Sequence, residues 1–312
     1  MIEIYNRQTG EYEIEKVAGE GVLKYLYGSK SGKAGLELLI KRKIVSSISG
    51  VFCNSRFSAR RIPRFITSFN IDMSLCVQEA GEYKSFNEFF IRKLKSEARI
   101  FADNPELLLC PGDGRLKAWM NIDVNRLMQV KGSSYTLKEL IRDEKLASAY
   151  KGGICLLLRL APVDYHRFHF IDGGTCEESH RIKGSYYSVN PIALETALSV
   201  FCKNKRGYSI FHSENFGNIL YIEVGATSVG SIIQTYIPRK KILRGDEKGY
   251  FKFGGSTILL FLEKGKAVID EDIQEQTKKG YETKVQAGNK IGYKDNHVVD
   301  FDLESTELVQ TE

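Results

Sequence analysis

The stretch Phe253-Gly254-Gly255-Ser256-Thr257, inside KGYFKFGGSTILLFLEKG, sets a hydroxyl nucleophile directly behind two glycines and ahead of an apolar run. Glycine loses the most backbone entropy on ordering and brings no side chain to pack, so a Gly-Gly pair weakens a strand. Such a pair marks either a turn or bulge before an ordinary strand, or a place where the backbone is approached closely in a strained geometry. Two further stretches carry chemistry. Ala161-Pro162-Val163-Asp164-Tyr165-His166-Arg167-Phe168-His169-Phe170 holds two of the chain's five histidines, three residues apart, where Pro162 stops an apolar strand. Cys110-Pro111-Gly112-Asp113-Gly114 reads first as a tight turn, with an Asp that can bond its own backbone. Together they supply the types of a nucleophile (Ser256), a base (His169 or His166) and an orienting carboxylate (Asp113). The Gly-x-Ser-x-Gly pattern of an ordinary serine hydrolase is absent, because no glycine stands two residues after Ser256. His-x-x-His lacks the further ligands of a zinc shell, so no metal is expected.

The elements that must position these groups read as an α+β fold. Ile154–Leu160, Ile219–Val224, Ile232–Ile237 and Thr257–Leu262 are apolar runs separated by glycine-containing turns, the pattern of buried strands. The first hundred residues read as mainly helical. Ser85-Phe86-Asn87-Glu88 is a capping box followed by an apolar stripe through Leu94. Thr136-Leu137-Lys138-Glu139 opens a second helix expected to end near Gly152-Gly153, and Asn190-Pro191 resembles a third start. The expected architecture is a helical, basic N-terminal layer on a mostly antiparallel β core, like a sandwich or barrel.

Charge divides the chain in the same place. Residues 21–64 carry ten basic residues against Glu37 alone, a net +9 in a chain whose total is +6, which leaves −3 for everything else. Leucines, isoleucines, tyrosines and phenylalanines are interleaved with Lys24, Lys41, Arg42, Lys43, Arg60 and Arg61. A basic amphipathic segment suits an anionic bilayer surface, where each cation is worth about 1 kcal/mol. A solvated helical face remains the plain alternative, and no motif supports nucleic acid. The start has no apolar core of a signal peptide, and no window reaches the ~18 apolar residues of a spanning helix. Six scattered cysteines without a C-x-x-C pair read as reduced thiols.

Taken together, these motifs resemble the phosphatidylserine decarboxylases. Gly254-Gly255-Ser256-Thr257 is similar to that family's self-processing site, and Asp164-Tyr165-His166-Arg167-Phe168-His169 to its Asp-Tyr-His-Arg-x-His signature. Collinear matches include Phe86-Asn87-Glu88-Phe89-Phe90, Pro111-Gly112-Asp113-Gly114, Lys131-Gly132 with Tyr135-Thr136-Leu137, Tyr187-Ser188-Val189-Asn190-Pro191, and Val224-Gly225-Ala226-Thr227 with Val229-Gly230. The resemblance spans roughly residues 65–265 and departs from the commoner Leu-Gly-Ser-Thr form at Gly254.

The resemblance implies a proenzyme cut between Gly255 and Ser256 into a β chain, 1–255, and an α chain, 256–312. Ser256 Oγ attacks the Gly255 carbonyl, His169 takes its proton, and Asp113 holds the imidazole. Elimination leaves a dehydroalanine, which hydrolyses with loss of ammonia to a pyruvoyl group, the pyruvate-derived cofactor, at residue 256. Its ketone then accepts the head-group amine of phosphatidylserine, and His166 handles the proton transfer of decarboxylation to phosphatidylethanolamine. On this reading residues 1–64 associate with the membrane and 65–312 form the catalytic domain. The enzyme is then peripheral on the cytoplasmic side of the cell membrane, with homo-oligomer formation left open. A soluble pyruvoyl-dependent amino-acid decarboxylase and a non-catalytic lipid-binding β module are the rival readings. The first tolerates loss of the N-terminal segment, and the second leaves one intact chain.

Overall fold

Strand Ile154–Leu160 is buried at all of its residues, so it can only sit inside a sheet covered on both faces. The computed structural model describes residues 2–17, 21, 25, 29, 50–128, 134–185, 187, 200–228 and 231–296. It places this strand in an 11-stranded sheet between Gly254–Leu262 and Gly114–Trp119. Beyond Gly254–Leu262 come Gly217–Ser228, Arg206–Ser213, Gly174–Cys176 and Lys241–Ile242 in turn, with His180–Ile182 also paired to Arg206–Ser213. Beyond Gly114–Trp119 come Glu282–Val285, Ile2–Asn6 and Glu11–Glu15. Every pairing is antiparallel except that of Ile2–Asn6 with Glu282–Val285.

Side chains alternate across the sheet with a period of two, so each strand feeds two cores. Leu158, Leu160, Ile258, Leu260 and Tyr221 enter one core, and Leu157, Leu220, Ile222, Leu259 and Phe261 enter the other. A three-stranded sheet of Ile232–Gln234, Glu247–Phe251 and Arg167–His169 carries the second histidine. The result is a mostly antiparallel α+β fold without a closed barrel.

The first helix near the site, Phe86–Phe90, begins as its sequence requires: the Ser85 hydroxyl accepts the Glu88 N–H. It stops at Ile91 rather than running to Leu94, and the Glu88 carboxylate reaches back to Lys84 N. Thr136 and Glu139 form the complete reciprocal box. The helix they open ends at Ile141, because Arg142 adopts φ 62°, and Asp143 caps a new helix, Glu144–Ser148. The N-terminus departs further from expectation. Residues 2–6 and 11–15 are strands of the main sheet, not part of a helical layer. Most of the basic segment and the Asn190-Pro191 motif lie outside the described residues.

Those N-terminal strands bring a carboxylate into the interior. Glu15 contacts Arg115 Nε at 2.5 Å and Arg159 Nη2 at 2.8 Å, and Arg159 also binds Glu282 at 2.5 Å. Arg115 Nη1 donates to Asp164. Each of these side chains is nearly buried, so the charges are held only by one another, and removing one strands its partners. Arg159→Ala is therefore expected to lower stability by about 3–5 kcal/mol in urea unfolding. A loss under about 1 kcal/mol, the range of an exposed pair, would show that the network does not hold the N-terminal hairpin and residues 282–285 together.

Candidate active site

Ser256 lies where the sheet's hydrogen-bond ladder gives way on both sides. Toward Ile154–Leu160 the last pair is Ser256 with Leu160. Pro162 follows, and the Ala161 N–H turns to Asp164 Oδ2 at 2.6 Å. Toward Gly217–Ser228 the pairs run Gly225 with Ser256, then Ser228 with Gly254. Ala226 and Thr227 therefore oppose Gly255 alone, which is a β-bulge. Gly254 takes φ 148°, a value open to glycine and strained for any residue with a Cβ. The Gly255–Ser256 peptide bond is thus the least constrained link of a strand that is otherwise central to the fold.

Ser256 is fully buried, and its hydroxyl meets His166 Nδ1 at 3.2 Å. The opposite ring nitrogen, Nε2, is 2.9 Å from the Ala161 carbonyl oxygen. A carbonyl can only accept, so Nε2 carries the proton and Nδ1 presents its lone pair to the serine. Phe90 stacks on the imidazole with ring centroids 3.9 Å apart, fixing its plane. Burial drives the His166 pKa down to about 3, against smaller upward effects of the Asp164 charge and the Ala161 carbonyl. The ring is neutral at physiological pH, and it is a weak base.

His169 lies at the end of Arg167–His169, and its contacts exclude Ser256 in this conformation. Its Nδ1–H donates to Gly245 O at 2.9 Å, and its Nε2 accepts the Tyr165 hydroxyl at 3.3 Å. Asp113, expected to hold this imidazole, does so only through space. Its carboxylate is gripped by the Arg99 guanidinium and by the Ala287 N–H at 2.9 Å, while the Gly245 carbonyl fixes the tautomer. Burial lowers the His169 pKa most, and the Gly245 carbonyl and the charges of Glu247 and Asp113 oppose it. Among the described residues no group of three or more His, Cys, Asp and Glu could hold a metal ion.

Sequence reading missed the residues that brace this geometry. Asn87 Oδ1 accepts the Phe253 N–H at 2.8 Å, and Phe253 packs edge-on against Phe86 and Phe90. Arg92 Nη2 donates to the carbonyls of Val163 and Asp164 at 3.0 and 3.2 Å. An arginine directly behind an apolar helix was the available signal, since a cation there must find acceptors.

The profile of the phosphatidylserine decarboxylase family matches residues 86–293, a span that includes every one of these groups. The chain belongs to that family. A phosphatidylserine decarboxylase proenzyme of Ruminiclostridium cellulolyticum is 59% identical over 292 residues, covering 94% of this chain and 97% of its own length. The proenzyme of Clostridium novyi is 56% identical over 294 residues, covering 94% of this chain and 100% of its own length. The phosphatidylserine decarboxylase resemblance therefore extends beyond the motifs to nearly the whole chain.

The neutral burial of His166 has a pH signature. Unfolded, its imidazole takes a proton near pH 6.5, whereas the folded ring resists protonation down to about 3. Between those values the unfolded state binds more protons, so stability falls as pH is lowered. In the Ser256→Ala protein, stability should drop by roughly 2 kcal/mol from His166 alone between pH 6.5 and 5. His169 acts in the same direction, so the comparison is with Ser256→Ala/His166→Gln, whose acid loss in urea unfolding should be smaller by about that amount. Identical losses would mean that His166 is not buried neutral.

Proposed function

We propose that the protein decarboxylates phosphatidylserine to phosphatidylethanolamine, after cutting itself between Gly255 and Ser256. One observation carries this reading: a buried serine hydroxyl donates to a neutral imidazole at the point where sheet pairing breaks off before Gly255. Attack of Ser256 Oγ on the Gly255 carbonyl carbon needs a strained, closely approached backbone, which Gly254 and the bulge permit. In the pyruvoyl form, residue 256 supplies an electrophilic carbonyl for the head-group amine and a sink for the electrons left as CO2 departs. Position 256 suits that group, because the residue's own carbons become the keto acid, its Oγ leaves with Gly255, and one water supplies the ketone oxygen as ammonia departs.

The two histidines divide the proton transfers. An efficient base has a pKa near the working pH. His166 is held far below that range, so His169, with the Asp113 charge behind it, is assigned to self-cleavage. Hydrogen bonds of catalytic groups are often loose before the reactive complex forms, and His169 has only the Tyr165 hydroxyl to exchange. His166 Nδ1, beside residue 256, is assigned to handling the proton at the substrate carbon during decarboxylation.

The described end of the basic segment supports membrane contact. Phe57 and Val51 are exposed, Arg60 lies 5.7 Å over the Phe57 ring, and Arg61 lies 4.5 Å over Phe52. Ile62 and Cys53 of this segment pack with Phe86, Phe89 and Phe90, the helix that stacks on His166. The proposed location is peripheral, on the cytoplasmic face of the cell membrane, with the basic surface against anionic lipid. No described helix is long and apolar enough to cross a membrane.

A denaturing gel, intact mass and CO2 release test these assignments together. The purified protein should be two chains, 1–255 and 256–312, the smaller with a blocked N-terminus, and Ser256→Ala should be one inactive chain. His169→Ala should accumulate uncut chain, and Asp113→Ala should do so less completely. His166→Ala should be cut yet lose about 10²–10⁴ in turnover. An uncut His166→Ala, or one that decarboxylates normally, reverses the division of labour.

Separately, Phe57→Ala/Arg60→Gln/Arg61→Gln should bind anionic vesicles more weakly, with an advantage over neutral vesicles that fades as salt rises above ~0.1 M. Self-cleavage should be unchanged. Equal binding to neutral and anionic vesicles would remove the electrostatic part of this reading.

A further inference from the structure

Arg92 is only 5% exposed, yet two of its guanidinium nitrogens, Nε and Nη1, have no hydrogen-bond partner. Its Nη2 is satisfied by two neutral carbonyls, and its Cζ lies 5.2 Å over the Phe89 ring. Among the described residues no carboxylate pairs with it. The two acidic groups whose charge reaches it are committed elsewhere. Asp164 is held by Arg115 and the Ala161 N–H, and Asp113 by Arg99 and the Ala287 N–H. On its other side stand Cys76 and Tyr83, both pushed upward in pKa chiefly by burial and therefore neutral. His166, also neutral, shares its surroundings. A buried guanidinium without an anion is a costly arrangement that persists only if something else requires it.

The proposed self-cleavage creates one new anion. When Ser256 Oγ has displaced the amide nitrogen from Gly255, elimination breaks the Ser256 Cβ–Oγ bond and removes the Cα proton. Oγ stays with Gly255, whose carbonyl carbon becomes a carboxylate at the end of the first chain. Gly255 extends the strand past Ser256–Leu160, beside the loop Ala161–Asp164 whose carbonyls Arg92 already grips. The preceding Phe253 is anchored through its N–H to Asn87, on the helix that leads into Arg92. Gly254 and Gly255 are the two residues free to swing once the bond is cut.

We propose that Arg92 is the receptor for the Gly255 α-carboxylate released by cleavage, so that an unpaired buried cation in the proenzyme becomes an ion pair in the mature enzyme. The proposal rests on the self-cleavage reading given above. Arg92 then holds the spent strand end away from residue 256 and opens the space that the substrate head group needs. A carboxylate is equally present on the serine head group, but an ion pair there would stabilise the group that must leave as neutral CO2. The chain's own terminus is the better fit.

The test uses the full chain and compares Arg92→Gln in two backgrounds. In the uncut Ser256→Ala protein, Arg92→Gln removes a charge without a partner and should leave the melting temperature unchanged or raised. In the self-cleaving protein the same substitution should lower the melting temperature of the mature two-chain form. In parallel, glycine labelled with ¹³C at its carboxyl carbon gives one titrating carboxylate signal after cleavage, that of Gly255. Its pKa should lie below the usual α-carboxyl range of about 3.3–3.7 and return to it in Arg92→Gln. Should Arg92→Gln fail to fold, Arg92→Lys serves, with a smaller depression expected. A Gly255 carboxylate with an ordinary pKa in the unsubstituted enzyme, or equal melting shifts in both backgrounds, overturns the proposal. If KM for phosphatidylserine rises while the Gly255 signal is unaffected, Arg92 binds the substrate's carboxylate instead, and the proposal is likewise wrong. A single uncut chain on the gel defeats the self-cleavage reading itself, an outcome the gel distinguishes from the others.

Discussion

One backbone carbonyl organises this site. Ala161 O would extend the ladder opposite Gly255, but it accepts the His166 Nε2–H instead. That hydrogen bond does two things at once. It ends sheet pairing on one side of the Gly255–Ser256 bond, and it fixes the imidazole tautomer that turns a lone pair toward the Ser256 hydroxyl. The turn that makes it possible is locked by Pro162 and by Asp164, whose carboxylate takes the Ala161 N–H. Strand termination and the turning of the His166 lone pair toward residue 256 are here the same event.

The loop is held in turn by charges that reach across the fold. Asp164 is tied to Arg115, Arg115 to Glu15, and Glu15 through Arg159 to Glu282. The residues so joined come from the first fifteen positions, the catalytic loop and the last strands of the sheet. Buried ion pairs are weak evidence for stability as such, since desolvation offsets much of their attraction. Their effect here is registry: Glu15 must lie where it meets both Arg115 and Arg159, which fixes the N-terminal hairpin against the strands that carry them.

Much of this was legible in the sequence, and the gaps have physical causes. The runs Ile154–Leu160, Ile219–Val224 and Thr257–Leu262 announced themselves, because a sheet covered on both faces needs near-continuous apolar runs. Ile232–Ile237, by contrast, is a strand only over Ile232–Gln234, half-buried in the smaller sheet, with Ile237 exposed. Thr136 and Glu139 announced their helix, but its early end at Arg142 did not, since a left-handed arginine carries no local signature. The strands Ile2–Asn6 and Glu11–Glu15 did alternate, with Ile2 and Ile4 in the first and Tyr12 and Ile14 in the second, around a Thr9-Gly10 turn. That period-two signal was outweighed by the basic run after it, and the parallel partner Glu282–Val285 is too distant in sequence to suggest itself. At the site, Ser256, His166, His169 and Asp113 were all singled out. Which histidine touches the serine was not legible, because a three-residue spacing says nothing about which ring a loop turns inward.

The position of Ser256 in the middle of the sheet also bears on how durable the molecule is. Under the proposed cut between Gly255 and Ser256, a strand flanked on both sides would keep its place, because Ile154–Leu160 and Gly217–Ser228 pair with it. The reverse route is closed, however. Before the cut, folding is unimolecular, and the segment that becomes the centre of the sheet is delivered by its own chain. After the cut, an unfolded molecule is two pieces that must meet at cellular dilution, with the shorter one supplying a central strand that the longer piece cannot close without. The proposed maturation would thus convert a reversible folding equilibrium into a one-way process, with the lifetime of the cut protein set by its unfolding barrier rather than by its stability.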